Sequence, residues 1–259
     1  MSKTYEALKK SEAEKAAEQQ PAMRNAMREA EQQGIMDLPL EIEASALLGY
    51  QKIRTWLTNP ATQGQGTLQT VMVVACHSGT GNTTTAALLA STLAQGKKSQ
   101  SRVLIIDGNF RTPSLNFVFN VSNNGGFSET VSNGMLFDVN IQPTNRPNLF
   151  VLTSGQVSLV PAEVFEGESI DHLLAQLKQK FNFIIFDAAP ALEFPDSYAL
   201  APKVDGIILV VESEKTLVVD AQRAKRDLER AGGRILGVVL NRHKDYTPVS
   251  LRKFFNSPY

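Results

Sequence analysis

Val71-Met72-Val73-Val74-Ala75-Cys76-His77-Ser78-Gly79-Thr80-Gly81-Asn82-Thr83-Thr84-Thr85 is an aliphatic run that passes through a glycine-bearing turn into a hydroxyl-rich helical start. A run that is continuously apolar, not alternating, reads as a strand covered on both faces. A strand, a glycine loop and a helix start together line up backbone N–H groups at the positive end of a helix, a shape suited to phosphates. The pattern repeats outward along the chain. Further aliphatic runs occur at Val103–Ile106, Leu149–Leu152, Phe183–Phe186, Ile207–Val211 and Ile235–Leu240, with helical stretches at Thr83–Gln95, Ser169–Lys180 and Thr216–Ala231. Strands alternating with helices predict an α/β fold with a doubly wound, mostly parallel sheet and right-handed crossovers. Ligands of such sheets sit at the carboxyl ends of the strands, so the chemistry is expected just after each run.

Location and shape make Cys76–Thr83 a phosphate loop, yet the strict pattern G-x-x-x-x-G-K-[ST] fails twice. Cys76 stands at its first glycine and Asn82 at its lysine, while Gly81 and Thr83 match. The lysine ammonium normally reaches the β- and γ-phosphates, whereas an asparagine amide is neutral and shorter. Loss of a charge-assisted hydrogen bond costs on the order of 1.5–3 kcal/mol, roughly one to two decades in affinity. The loss in rate can be larger, because one stabilising donor is worth about 10²–10³ in turnover. Thr83 retains a hydroxyl for Mg²⁺. Binding is expected to outlast chemistry.

Two carboxylates end strands beside this loop. Ile106-Asp107 closes the second run and Phe186-Asp187 the fourth. A carboxylate so placed orients a magnesium shell or accepts a substrate proton; its bland alternative is an aspartate that caps the next turn.

Composition narrows the rest. The 259 residues are 42% hydrophobic and 20% charged, as in an ordinary globular chain long enough for a sizeable core. Twenty-six basic and twenty-six acidic residues give zero formal net charge, so nucleic acid is not an expected partner. The one cysteine cannot pair within the chain and three histidines are too scattered for a Cys/His zinc site, which fits a reducing cytoplasm. No apolar run is long enough to cross a bilayer. Residues 1–38 read as a helical, partly disordered arm without a core of its own, bearing Tyr5, Leu8, Met23 and Met27 as candidate docking residues, and 39–259 as the α/β domain. Ala44–Leu57 has helical spacing and stops at Asn59-Pro60. Cys76 reads as a small buried hydrophobe, His77 as a residue near the phosphates with an unassigned role, and His172 and His243 as surface residues. Glu212, Glu214 and Lys215 read as a solvated loop, and Lys97-Lys98 as complements to a helix end.

Several blocks in order resemble the cytoplasmic ATPase domain of bacterial tyrosine autokinases of capsule and exopolysaccharide synthesis, within the wider group of MinD- and ParA-like P-loop NTPases. They are Met1–Glu14, Val103–Phe119 (an Asp-x-Asp-x-Arg-x-Pro-like segment), Phe127–Gly134, Pro147–Gly155, Phe181–Glu212 and Ile235–Arg242. The resemblance implies that Gly79, Thr80, Gly81, Asn82, Thr83 and Thr84 line the nucleotide phosphates. It makes Asp107 and Asp187 the catalytic carboxylates, sharing Mg²⁺ with Thr83, and places the Asn241 amide at adenine with Arg242 beside it. From the residues alone, Asn241-Arg242 is equally a turn and a solvated charge. ATP or ADP with Mg²⁺ is the implied cofactor, weakly bound. Implied partners are a membrane chain-length determinant, which would hold the chain at the inner face of the cell membrane, and further copies of the chain itself.

Departures fall where phosphoryl transfer needs charge. Asn82 replaces the loop lysine, Asn109 the second acidic residue, and Ala188-Ala189-Pro190 stands for the usual Thr-Pro-Pro. The tyrosine cluster of the tail is reduced to Tyr246 and Tyr259, and the helix that usually carries Glu-x-x-Arg-x-x-Arg-x-Asn keeps only Arg54. The resemblance therefore implies a degenerate, pseudokinase-like regulator or scaffold. Two rivals stay open: an active kinase or ATPase with a substitute cation, and a MinD-like positioning protein using Leu251–Phe255 on a membrane.

Overall fold

Alternate side chains of each aliphatic run enter one of two apolar layers, which is why the runs lack polar positions. In the computed structural model, which describes residues 44–59, 68–96, 101–133, 140–156, 164–165 and 167–243, Met72 and Val74 face one layer and Val71, Val73 and Ala75 the other. The described elements are α1 (Ala44–Thr58), β1 (Thr70–Ala75), α2 (Asn82–Ala94), β2 (Val103–Gly108), α3 (Leu115–Phe119), α4 (Phe127–Asn133) and β3 (Gln142–Pro143). They continue with β4 (Leu149–Leu152), α5 (Glu168–Lys180), β5 (Phe183–Ala188), α6 (Asp196–Leu200), β6 (Gly206–Glu212), α7 (Val218–Arg230) and β7 (Ile235–Asn241).

The seven strands order β3-β4-β2-β5-β1-β6-β7, parallel throughout except for β3 against β4. Strands β1, β2 and β5 are buried along their whole length, and β1 and β2 both border β5. The carboxyl ends of these three central strands therefore open at one rim. Register sets the depths there: Val73 faces Asp187 across β1 and β5, and Asp107 faces Asp187 across β2 and β5. The doubly wound parallel sheet expected from the sequence is present.

Helix α2 fills the layer behind the loop with Ala86, Ala87, Leu89, Ala90 and Leu93. Small residues on this helix bring its axis close to the sheet. Helix α1 packs on it through Tyr50, whose buried phenol lies beside Thr85, and through Leu57. Arg54 Nη1 donates to the Thr92 carbonyl at 3.3 Å, so the one retained arginine of α1 serves an intrachain contact.

The structure departs from the sequence reading in three places, one of them Glu212, which ends β6 with its side chain 12% exposed instead of joining a solvated loop. The short helices α3, α4 and α6 were not expected; each has five to seven residues and is set by tertiary contacts, not by its own periodicity. Strand β7, continuously apolar in sequence, is not covered on both faces, because it forms the sheet's edge and leaves Val238 and Leu240 58% and 54% exposed. No described helix is long and apolar enough to cross a membrane. The arm with Tyr5, Leu8, Met23 and Met27, the Lys97-Lys98 pair, Tyr246, Tyr259 and Leu251–Phe255 lie outside the described residues.

Candidate nucleotide site

The loop after β1 depends on two glycines. Gly79 and Gly81 have φ of +75° and +89°, in the left-handed region that side chains rarely adopt. At Gly81 a Cβ would also run into the Asn241 amide, whereas around Gly79 there is open space. Gly81 caps α2 without any side-chain hydrogen bond, and the first turn of that helix carries no acidic residue. The helix start therefore presents its amides uncapped by side chains, which suits an anion.

Expected phosphate-lining residues divide by where their side chains go. Thr84 faces solvent and Thr83 lies at the helix start, its side chain beside Asp187 and its Oγ1 accepting from Ser114 Oγ at 3.4 Å. Thr80 is buried; its Oγ1 donates to the His77 carbonyl at 2.8 Å, and its own carbonyl accepts from Asn241 Nδ2 at 2.8 Å. Asn241 thus braces the loop backbone, and its Oδ1 accepts the Arg242 amide at 2.9 Å. Arg242 is directed at Glu212, 2.9 Å away, and Glu212 also pairs with Lys215. That pairing holds the Glu212 carboxyl below the usual range, Arg242 contributing most.

Asn82 is turned inward. Its Nδ2 donates to the Val73 carbonyl at 3.1 Å, to Asp187 Oδ1 at 2.6 Å and to the Ala188 carbonyl at 3.0 Å. Two hydrogens serve three acceptors, so one is shared. The residue at the lysine position ties β1 to β5 beneath the loop.

Asp107 and Asp187 are both fully buried. Burial raises Asp187 to about 8, with the Asp107 charge adding to the rise and the Thr83 and Asn82 hydrogen bonds opposing it. Burial likewise raises Asp107 to about 6, against amides from Leu115, Ser114 and Asn109 that lower it. Both Asp107 oxygens are engaged: Oδ2 accepts from Ser114 and Leu115 N at 2.9 and 3.0 Å, and Oδ1 from Asn109 N at 3.2 Å. Asp107 therefore caps α3 as well as facing Asp187. Among the described residues neither carboxylate has an ion-pair partner. Asp187 Oδ2 and Asn82 Oδ1 are buried without a hydrogen-bond partner.

Those free oxygens, with the Thr83 side chain beside the same carboxylate, fit a hard divalent cation that takes oxygen ligands. No described group of three or more His, Cys, Asp or Glu side chains gathers as a protein-only metal site. Magnesium instead takes one or two carboxylates and completes its shell with water and phosphate oxygens.

Among the described residues, His77 and Arg111, as candidate substitute cations, are committed elsewhere. His77 lies between Asp220 (Nε2 to Oδ2, 3.1 Å) and Glu193 (Nδ1 to Oε1, 3.6 Å). Arg111 makes a two-pronged contact with buried Asp196, at 2.9 and 3.2 Å, and its guanidinium lies over Phe194. Asn109, at the second acidic position, closes a turn with Thr112 at 2.9 and 3.2 Å. Cys76 is fully buried and burial pushes its thiol up to about 11, consistent with an inert packing residue. Sequence reasoning missed Glu193, which accepts from Ser78 N at 2.7 Å and Ser78 Oγ at 2.5 Å across a separation of 115 residues. A lone glutamate in the turn after β5 carries no sequence signal for that contact.

A parallel sheet with a glycine loop and two strand-end carboxylates at one rim defines a P-loop ATPase-like domain. Residues 68–219 match the family described as an AAA domain. The tyrosine-protein kinase YwqD of Bacillus subtilis (strain 168) is 32% identical over 203 residues, which cover 76% of this chain and 83% of the relative. The crystal structure of the chimerical protein CapA2B2 superposes with a TM-score of 0.72 at 27% identity, covering 82% of this chain and 90% of that one. A septum site-determining protein MinD from Pyrococcus horikoshii OT3, complexed with Mg-ADP, shares the fold at a TM-score of 0.57 and 24% identity, covering 74% and 79%. The chain belongs to the family of bacterial tyrosine-protein kinases.

Proposed function

We propose that this chain is a catalytically impaired member of that family, one that binds ATP or ADP weakly and acts as a regulator or scaffold. Its partner in this reading is a membrane chain-length determinant of exopolysaccharide assembly, which places it at the cytoplasmic face of the membrane. The observation that carries the impairment is Asn82, whose amide is spent on Val73, Asp187 and Ala188 where a cation would serve the phosphates. The substitute-cation alternative draws no support from His77 or Arg111, each already held by carboxylates.

The uncapped start of α2 and the amides of residues 79–84 would bind the phosphates, and Asp187 with Thr83 would hold the magnesium. When bound, magnesium neutralises charge on the phosphate oxygens. Asp107 is held in place by backbone, because the amides of Asn109, Ser114 and Leu115 occupy both its oxygens. Asn82 ties the base of the loop to β1 and β5 without adding charge. The test is a nucleotide titration, with and without magnesium, of wild type and Asn82→Lys. Weak wild-type binding that tightens about 10- to 100-fold in Asn82→Lys supports the reading. Tight wild-type binding that the substitution leaves unchanged overturns it.

A further inference from the structure

We propose that Glu193 sets how much phosphate charge the loop accepts: as an internal anion seated at the loop's mouth, it biases the site against a triphosphate relative to a diphosphate. The inference rests on the nucleotide reading of the loop. Backbone contacts fix where Glu193 sits. Ala191 N donates to the Ala75 carbonyl at 2.9 Å and Leu192 N to the Cys76 carbonyl at 3.2 Å, pinning the turn after β5 against the end of β1. Glu193 is thereby delivered to Ser78, the residue just before Gly79. Its Oε1 accepts the Ser78 amide at 2.7 Å and its Oε2 the Ser78 hydroxyl at 2.5 Å.

One amide beside the phosphate-lining segment is thus already bound to a carboxylate. The contact faces solvent, since the Glu193 side chain is 32% exposed and Ser78 is exposed. Among the described residues no arginine or lysine pairs with Glu193. Arg223 and Arg230, which line the same hollow as Glu193, lie 3.7 and 3.9 Å from Asp227, and His77 is shared with Asp220. A bound phosphate chain must displace this carboxylate or lie beside it, and repulsion grows with each negative charge the ligand carries. Removing one such surface charge is worth about three- to tenfold in affinity per additional ligand charge at low ionic strength.

The experiment measures ADP and ATP affinities of wild type and Glu193→Gln by displacement of a fluorescent nucleotide, at low and high salt. Amide hydrogen exchange at Ser78 is followed in ligand-free wild type and Glu193→Ala. The expected result is a gain in Glu193→Gln that is about three- to tenfold larger for ATP than for ADP and shrinks with salt, with faster Ser78 exchange in Glu193→Ala. An ATP-to-ADP preference identical in wild type and Glu193→Gln overturns the proposal while leaving the nucleotide site standing. Faster exchange with no nucleotide bound by wild type, Glu193→Gln or Asn82→Lys shows that the nucleotide reading itself has failed, and the proposal falls with it.

Discussion

Asn82 Nδ2 lies 2.6 Å from Asp187 Oδ1, so the chain sets a neutral amide against the carboxylate that ends β5. Truncation to Asn82→Ala strips that oxygen and the Val73 and Ala188 carbonyls of a donor at the base of the loop. The expected cost is about 1–3 kcal/mol of stability, the penalty for stranding buried acceptors. Thermal unfolding of wild type and variant reads it; an unchanged midpoint would show that the amide does not tie the strands.

Buried carboxylates with raised pKa values reverse the usual dependence of stability on pH. Asp187 at about 8 and Asp107 at about 6 hold protons in the folded chain that an unfolded chain has released above about 4. Stability is therefore expected to fall as pH rises from about 4 toward 8 and to level off above it. Asp187→Asn removes that group's slope, so its unfolding midpoint exceeds the parent's at about pH 8 and converges with it in acid. A shift of about 2–4 °C per kcal/mol makes the difference readable. A wild-type midpoint that climbs over this range contradicts the assignment.

Gly81 and Gly79 separate two kinds of strain. Both have positive φ, but only at Gly81 does a new Cβ meet a side chain, the Asn241 amide that braces Thr80. Gly79→Ala is expected to cost about 1–2 kcal/mol for the backbone alone. Gly81→Ala is expected to cost more and also to release Asn241. Denaturant unfolding ranks the two, and equal losses would show that the Asn241 brace contributes nothing.

Much of the fold was legible because two-sided burial leaves a plain trace. The runs at Val71–Val74, Val103–Ile106 and Phe183–Phe186 admit no polar residue, and each became a central strand. That logic misread β7, since its place at the sheet edge is decided by neighbours it does not encode locally. The helices α3 and α6 were hidden for the same reason: Asp107 on β2 caps α3, and Arg111 pairs with Asp196 at the start of α6. Within the site, strand-end position sufficed to mark Asp107 and Asp187. The direction in which Asn82 and Asn241 spend their amides was not legible, because an asparagine in a loop points wherever the nearest carbonyls lie.

Arg111 and Asp196 anchor the segment after β2 to the segment after β5, with Asp196 only 1% exposed. Arg111→Ala leaves that carboxylate buried and unpaired, and a loss of about 3–5 kcal/mol is expected. Arg111→Lys should recover only part of it, because a single ammonium cannot reproduce the two-pronged contact. Denaturant midpoints of the three proteins check the order; full recovery with lysine would mean charge alone suffices.

Impairment is tested most directly by incubating the purified full-length protein with ATP and magnesium and measuring phosphate gained on tyrosine by intact mass. No phosphorylated species is expected from wild type under conditions where an intact family member labels itself. Self-labelling of wild type at a comparable rate would show that chemistry proceeds without a cation at position 82.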